Sequence, residues 1–244
     1  MNQVVVTETL RRHATHPGYI IFVVLTAIVA AGSAMSPSDS QSWQGMTTLL
    51  MLVIGAQLIG PEFSSGTLQL VIAKPVNRST YLLSRVAGVV VAGWLALWVS
   101  FAIYVIVRLL GRGVSDWSAL FAVAIHRTAG MLLICALLAL FGSFTRAYFN
   151  IAIFMALSIG LSALGGFLGL LGQGRDTFGA LGRFVAGNPW IARGVHAIDT
   201  NLFPDPPAGG FNRLWLAMVL SNALVALSIA CVLFNRREVP YGAD

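Results

Sequence analysis

Charged side chains are scarce in this sequence: they make up 10% of its 244 residues, whereas hydrophobic residues make up 57%. The mean hydropathy is +0.81. A soluble domain needs a polar surface that so few charges cannot supply. The composition therefore argues against a soluble fold and indicates that much apolar surface faces a lipid bilayer.

Lysine is nearly absent, because Lys74, between Ala73 and Pro75, is the single one. A phosphate-binding Walker A loop needs Gly-Lys-Ser/Thr, in which the lysine reaches the phosphates and the hydroxyl holds magnesium. This chain cannot supply that ATP site. The scattered acids and histidines also form no HExxH, no GxSxG and no carboxylate pair on one predicted face. We therefore expect no catalytic residue and no enzymatic activity in the chain itself.

Cysteine is equally rare. Cys135 and Cys231 each lie inside a hydrophobic run, without CxxC or Cys/His spacing, which favours apolar packing over a disulfide or a metal site. The net charge of +6 is not organised into basic runs with interleaved aromatics, so no nucleic-acid surface is indicated. In a membrane protein such a charge reports orientation and contact with anionic lipid.

What the sequence does have is long uncharged windows, which predict an all-α, polytopic membrane protein with six transmembrane helices in one domain, residues 1–244. The predicted spans are Tyr19 to Met35, Trp43 to Gly60, Val86 to Val107, Thr128 to Thr145, Ala147 to about Leu171, and Leu214 to Asn235.

Arginine and lysine beside these spans predict the orientation. With the N-terminus inside, the inner segments carry Arg11, Arg12, Lys74, Arg78, Arg85, Arg146, Arg236 and Arg237. The outer segments carry fewer, mostly in the long segment before the sixth span, whose length weakens its influence. Both termini are therefore expected in the cytoplasm.

Two segments outside the spans are amphipathic. In residues 1–18, Val6, Leu10 and Ala14 share a helical stripe, which favours a helix lying along the inner membrane surface over a plain charged leader. In the outer segment, residues 172–213, Asn188 is a plausible N-cap before Pro189, and Ile191, Val195 and Ile198 share one helix face. We expect two short amphipathic helices there, folded against the membrane.

Polar residues inside the spans are the candidates for a substrate pathway: Gln57, Asn150 and Arg127. For the two amides, a hydrogen bond between helices is favoured over substrate contact. If the fourth helix begins at Thr128, Arg127 snorkels to the outer headgroups and residues 118–125 form an amphipathic turn. If it begins at Ser118, Arg127 lies near mid-membrane as an anion site; snorkelling is favoured.

A glycine motif in the fifth span leaves two possibilities open. Gly165 and Gly169 form GxxxG, which lets another helix backbone approach closely. The neighbouring helix could belong to the same chain or to a second copy.

Residues 61–79, PEFSSGTLQLVIAKPVNRS, interrupt the apolar pattern between the second and third spans. Pro61 ends a helix, Gly66 permits a sharp change of direction, and TLQLVIA supplies about two helical turns before Lys74-Pro75. This places a short helix on the predicted cytoplasmic face. A polar loop that merely satisfies the positive-inside rule is the plainer alternative.

Glu62 followed by SGTLQLVIAKPVNRSTYLLSR resembles the type-two export permeases of ATP-binding-cassette (ABC) transporters. ETLRRHATHPGYIIF, NPWIARGVHAID and the six-span plan extend the resemblance over nearly the whole chain. It implies an N-terminal interfacial helix, a cytoplasmic coupling helix in residues 61–85 and a reentrant outer hairpin. The residues that match the coupling region are Glu62, Gly66, Thr67, Leu68, Pro75 and Arg78.

The resemblance also implies partners and a function. Two permease chains, expected to form a homodimer, would export a substrate across the bacterial inner membrane. Two cytoplasmic ABC ATPase subunits would bind ATP and Mg²⁺, so this chain would need no cofactor. One alternative is an ATPase-driven membrane scaffold or maturation factor that acts on a periplasmic protein, for example in copper-enzyme assembly. Another is an ATP-independent channel or secondary carrier, which would be active without any ATPase.

Overall fold

The computed structural model describes residues 2–36, 42–58, 77–111, 113–114, 116–145, 149–173, 183–185, 187–204, 207 and 210–236. Within these ranges the chain is helical and contains no β-strand. The helices are α1 (Gln3–Ala14), α2 (Pro17–Met35), α3 (Ser42–Ala56), α4 (Arg78–Gly111), α5 (Trp117–Phe144), α6 (Phe149–Gln173), α7 (Pro189–Leu202) and α8 (Arg213–Arg236).

Five of the described helices, namely α2, α4, α5, α6 and α8, are long and apolar enough to cross a bilayer. They confirm the prediction of a polytopic helical membrane protein. The helix in the predicted second span is shorter, with an apolar stretch of Trp43–Ala56, and residues 59–60 of that span lie outside the described residues. α4 exceeds its predicted span at both ends: its 34 residues extend about 51 Å at 1.5 Å per residue.

The amphipathic turn predicted before the fourth span was wrong. Residues 118–125 do not form a separate amphipathic turn, because α5 runs unbroken from Trp117 to Phe144. The side chain of Asp116 caps the helix by accepting a hydrogen bond from the backbone N–H of Ala119 at 3.0 Å. No glycine or proline follows until Gly130, so nothing in the sequence breaks the helix near Thr128.

The described residues group into two compact units. Residues 1–151 and 206–244 form the first, in which α4 contacts α1, α2, α3, α5 and α8. Residues 152–205 form the second, in which α7 packs on the later turns of α6. There Ile191 and Val195 lie against Leu168 and Leu171, as the predicted apolar face of this helix requires. Ile198, predicted on the same face, is instead exposed.

Aromatic contacts establish how the helices of the first unit are aligned. The indole N–H of Trp94 on α4 donates to the carbonyl of Thr128 on α5 at 3.0 Å, and Phe101 meets Phe121 at 5.6 Å. These pairs make α4 and α5 an antiparallel hairpin. Trp43, at the start of α3, is buried between Phe101 and Tyr104 of α4. We call the end of the unit where α4 is followed by α5 the turn end, and the opposite end the α1 end.

Two glycines of α4 lie where neighbouring helices approach closely. A Cβ added to Gly93 would come within 2.7 Å of the sulfur of Met51 on α3, and one added to Gly88 would come within 2.7 Å of Cβ of Thr9 on α1. The Cβ added to Gly88 would also lie 3.0 Å from the carbonyl oxygen of Val6. A flexible methionine can move aside, whereas a backbone carbonyl cannot do so without moving α1.

Replacing Gly88 by alanine should therefore push α1 away from α4. We expect Gly88→Ala to lower the stability of the detergent-solubilised protein by about 1–3 kcal/mol, the usual cost of overpacking. Gly32→Ala on α2 is the matched control, because nothing lies within 4 Å of its added methyl group. The measurement is the unfolding free energy in a mixed-micelle denaturant titration. Equal stability of the two variants would contradict the close approach of α1.

Candidate functional site

Most of the predicted coupling residues lie outside the described residues: Glu62, Gly66, Thr67, Leu68 and Pro75. Arg78 is described, as the first residue of α4. Its Nη1 donates to the backbone carbonyl of Asn235 near the end of α8, at 3.5 Å. The side chain of Asn235 in turn donates to the hydroxyl of Ser79 at 2.7 Å. The start of α4, immediately after the motif segment, is therefore tied to the end of α8.

A second set of contacts joins the first turns of α4 to α1. Nη1 of Arg85 donates to the hydroxyl of Thr9 at 3.2 Å, and the backbone N–H of Asn2 donates to the hydroxyl of Ser84 at 2.8 Å. Arg85, Ser84 and Thr9 are all buried. Since a buried guanidinium needs hydrogen-bond acceptors, the Arg85–Thr9 contact helps to fix α1 in one position on α4.

The face of α1 that packs against the rest of the unit differs from the predicted stripe. Thr9 and His13 are the buried residues of this helix, whereas Val6 and Leu10 are only partly buried and Ala14 is exposed. The apolar stripe was predicted to face the membrane surface, and that stays a prediction; α1 meets α4 through a different, polar face. Thr9 and His13 are four positions apart and so share a helix face, which is the signal that could have identified them.

The imidazole of His13 is held in its neutral form. The pKa of His13 is lowered from 6.5 to about 4. The largest cause is burial, and the positive charges of Arg85, Arg12 and His16 add to it. All these neighbours are basic, so protonating His13 adds a positive charge to a site that already repels it. The contact between α1 and α4 is therefore expected to depend on pH.

The three residues predicted to line a substrate pathway occupy two separate places. Asn150, at the start of α6, is fully buried and donates from its side-chain amide to the carbonyl of Ala56 at 3.3 Å. This bond confirms the expectation of an interhelical contact for Asn150. Gln57 directly follows Ala56 at the end of α3 and is half-buried. Arg127 instead contacts the other end of α3, about 20 Å away at 1.5 Å per residue.

Arg127 is hydrogen-bonded inside the helix bundle. Its Nε donates to Oε1 of Gln44 on α3 at 2.7 Å, and Gln44 is only 1% exposed. Arg127 lies about 15 Å along α5 from Trp117. Sequence reasoning did not select Gln44, although it is a polar side chain at the start of an apolar run. The structure therefore adds Gln44 to the polar contacts between helices.

The hydrogen bonds described above connect helices to one another. No group of three or more His, Cys, Asp or Glu side chains that could hold a metal ion occurs in the part of the chain that the structure describes. Both cysteines are free thiols, as expected for packing residues. The polar groups instead connect helices: α1 and α8 to the start of α4, α3 to α6, and α3 to α5.

The fold is that of a helical membrane protein, with five described helices long and apolar enough to cross a bilayer. No protein-family model matches the sequence, and no curated protein matches it either.

Acid should loosen α1. The pKa of His13 is depressed in the folded protein, so its neutral form stabilises the contact fully above about pH 6.5 and this stabilisation is lost as the pH falls toward 4. Hydrogen exchange of residues 3–14, corrected for the pH dependence of the intrinsic rate, should show decreasing protection over that range. His13→Asn should remove the pH dependence. His196→Asn is the control, since His196 is exposed on α7 and belongs to the second unit; an unchanged pH profile in His13→Asn would refute the role of His13.

Removing the amide of Gln44 should destabilise the bundle. Gln44→Leu deletes the acceptor for Nε of Arg127, and a hydrogen bond to a charged group contributes about 1.5–3 kcal/mol. Gln57→Leu provides the comparison, because Gln57 is only half-buried and should cost less. The measurement is the free energy of unfolding of each variant in detergent, compared with that of the unmodified protein. A loss in Gln57→Leu as large as that in Gln44→Leu would show that the Arg127 contact contributes little.

Proposed function

We propose that this chain is the membrane-spanning permease subunit of an ABC exporter, driven by a separate cytoplasmic ATPase. The observation that carries the proposal is the packing around the start of α4. The segment that resembles the permease coupling motif, residues 61–79, leads directly into this start, and both α1 and α8 are hydrogen-bonded to its first two turns. A displacement of the motif segment would thus act on three helices together.

The proposed assignment of ATP binding to a partner subunit is based on the sequence of this chain. A chain whose single lysine stands between Ala73 and Pro75 has no Walker A loop, so ATP and Mg²⁺ would be bound by the partner subunit. Force would then have to enter through a surface of this chain. Glu62, Gly66, Thr67, Leu68, Pro75 and Arg78 are the residues proposed to form that surface.

The proposed orientation has both termini and residues 61–79 in the cytoplasm of a bacterial cell. It rests on the excess of arginine and lysine beside the predicted inner ends of the spans. The turn end of the bundle would then face the outside, and α1 would lie along the inner membrane surface. In this orientation the exposed Arg11 and Arg12 of α1 are available to anionic headgroups.

The proposed transport unit contains two copies of this chain and two ATPase subunits. α6 supports a role in pairing, because little of it is buried within the chain and Gly160, Gly166 and Gly169 have nothing within 4 Å of an added Cβ. Gln57, Asn150 and Arg127 remain the proposed polar residues beside the pathway. Since Asn150 and Arg127 already bond to α3, their proposed role is to hold the walls of the pathway in place.

The proposal predicts that the tagged chain, purified in mild detergent from cells that express its native partners, brings an ATPase with it. After reconstitution in lipid vesicles, Glu62→Gln and Gly66→Val should lower ATP hydrolysis by the complex about 5-fold or more while the complex still assembles, because coupling between sites typically has that size. Arg193→Gln on the exposed face of α7 is the control.

Two results would count against the proposal. The absence of any copurifying ATPase would contradict an ABC permease. Full ATP hydrolysis in Glu62→Gln and Gly66→Val would remove the motif segment from the coupling surface. A periplasmic protein that copurifies in stoichiometric amount, together with ATP-dependent release of that protein, would favour the scaffold or maturation factor instead.

A further inference from the structure

His126 on α5 is enclosed by the segment that leads into α8. Its side chain is fully buried, and the backbone N–H of Asn212 donates to its Nε2 at 3.2 Å. The ring of Phe211 stacks nearly parallel to the imidazole, with centroids 5.8 Å apart and an interplanar angle of 8°. Trp215, in the first turn of α8, meets it edge-to-face at 4.9 Å. Three residues of this segment, Phe211, Asn212 and Trp215, thus contact the same titratable ring.

The hydrogen bond specifies the protonation state of the ring. A nitrogen that accepts a backbone N–H must carry a lone pair, so Nε2 is unprotonated and the ring proton is on Nδ1. Protonation would place a hydrogen on Nε2 and set two donors against each other. The observed arrangement is therefore compatible only with neutral His126.

The surrounding charges also oppose an imidazolium. On α5 the neighbouring charge is Arg127, and on α8 the nearest is Arg213; both are positive. The start of α8 adds the positive end of a helix dipole. Of the other helices packed on α5, α3 carries no charged residue and α4 carries none between Arg85 and Arg108. No carboxylate of these helices is positioned to compensate a proton on the ring.

Few hydrogen bonds among the described residues stabilise the contact between this segment and His126. Nδ1 of His126 and Nε1 of Trp215 are both buried without a hydrogen-bond partner among the described residues. A buried donor that makes no hydrogen bond costs free energy, so these two atoms do not stabilise the contact. The packing of the three rings and the hydrogen bond from Asn212 are what hold this segment against α5. Loss of that bond removes the polar contact that connects residues 210–212 to α5 here.

We propose that His126 is a proton-sensitive latch: in its neutral form it holds residues 210–212 and the first turn of α8 against α5, and its protonation releases them. The latch lies toward the turn end of the bundle, away from the α1–α4 contacts. It is independent of the proposed transport function, because it needs neither a partner subunit nor ATP. It assigns a regulatory role to a buried histidine that no proposed coupling or pathway contact uses.

The test measures local mobility in the full chain. A nitroxide label is attached at Gly210→Cys in a Cys135→Ala, Cys231→Ala background, in lipid nanodiscs. Gly210 is exposed, and nothing lies within 4 Å of an added Cβ. Labelling is completed at pH 7.5, and the spectrum is then recorded at pH 7.5, pH 5 and pH 4. The range extends well below the ordinary imidazole pKa of about 6.5, because the neighbouring positive charges oppose a proton on the ring. A second sample labelled at the exposed Ser118→Cys, at the start of α5, reports general unfolding.

The latch predicts that the rotational correlation time at position 210 shortens about two-fold or more between pH 7.5 and pH 4, reversibly, while position 118 does not change. His126→Gln keeps a side-chain oxygen acceptor that cannot titrate in this range, so it should remain slow at every pH measured. An unchanged spectrum in the otherwise native protein, the same pH response in His126→Gln, or equal mobilisation at position 118 would each overturn the proposal.

Discussion

The close approach of neighbouring helices to α4 is the constraint on which the rest of the first unit depends. Inside a bilayer the lipid tails are as apolar as the side chains, so helices associate through close packing and hydrogen bonds rather than through the hydrophobic effect. α4 meets this requirement with buried small residues, namely Ser84, Gly88, Ala92, Gly93, Ala96 and Ser100. Gly88 admits the backbone of α1, and Gly93 admits Met51 of α3. The hydroxyl of Tyr19 on α2 can likewise reach the carbonyl of Ala92 at 2.8 Å.

Hydrogen bonds then fix helices whose packing alone would permit sliding. At the α1 end, Arg85 bonds to Thr9, and Asn235 bonds to Ser79. Nearer the turn end, Arg127 bonds to Gln44, and Trp94 bonds to the carbonyl of Thr128. Each bond joins two different helices, and most involve a side chain that would be costly to leave unpaired in an apolar setting. Polar residues in this protein therefore specify helix register more directly than the abundant apolar ones do.

The sequence was sufficient for the fold class, because uncharged windows of span length have few other uses. The sequence also predicted that α7 begins at Pro189 with Asn188 at the N-cap position, and the structure confirms both. The Asn188 side chain, however, bonds to Phe184 and Trp190 and makes no capping hydrogen bond. Prediction from the sequence failed where tertiary contacts reverse a local preference. Hydropathy marks Arg127 as a place to end a span, yet α5 continues past it, and the Arg127 side chain bonds to Gln44 on α3. Apolar spacing likewise missed Thr9 and His13, because their partners lie more than seventy positions away on α4.

α8 is the element through which the two ends of the first unit are physically connected. Its first turn encloses His126, and Asn235 near its last turn bonds to the start of α4. Between these points it packs along α5 in the most extensive helix contact of the described chain. A continuous 24-residue helix can move as a rigid body, so a shift at either end must be accommodated at the other. Such a connection transmits a signal only if one end has two stable arrangements. In the proposed latch, His126 provides the two arrangements, because its ring accepts a hydrogen bond when neutral and can only donate when protonated.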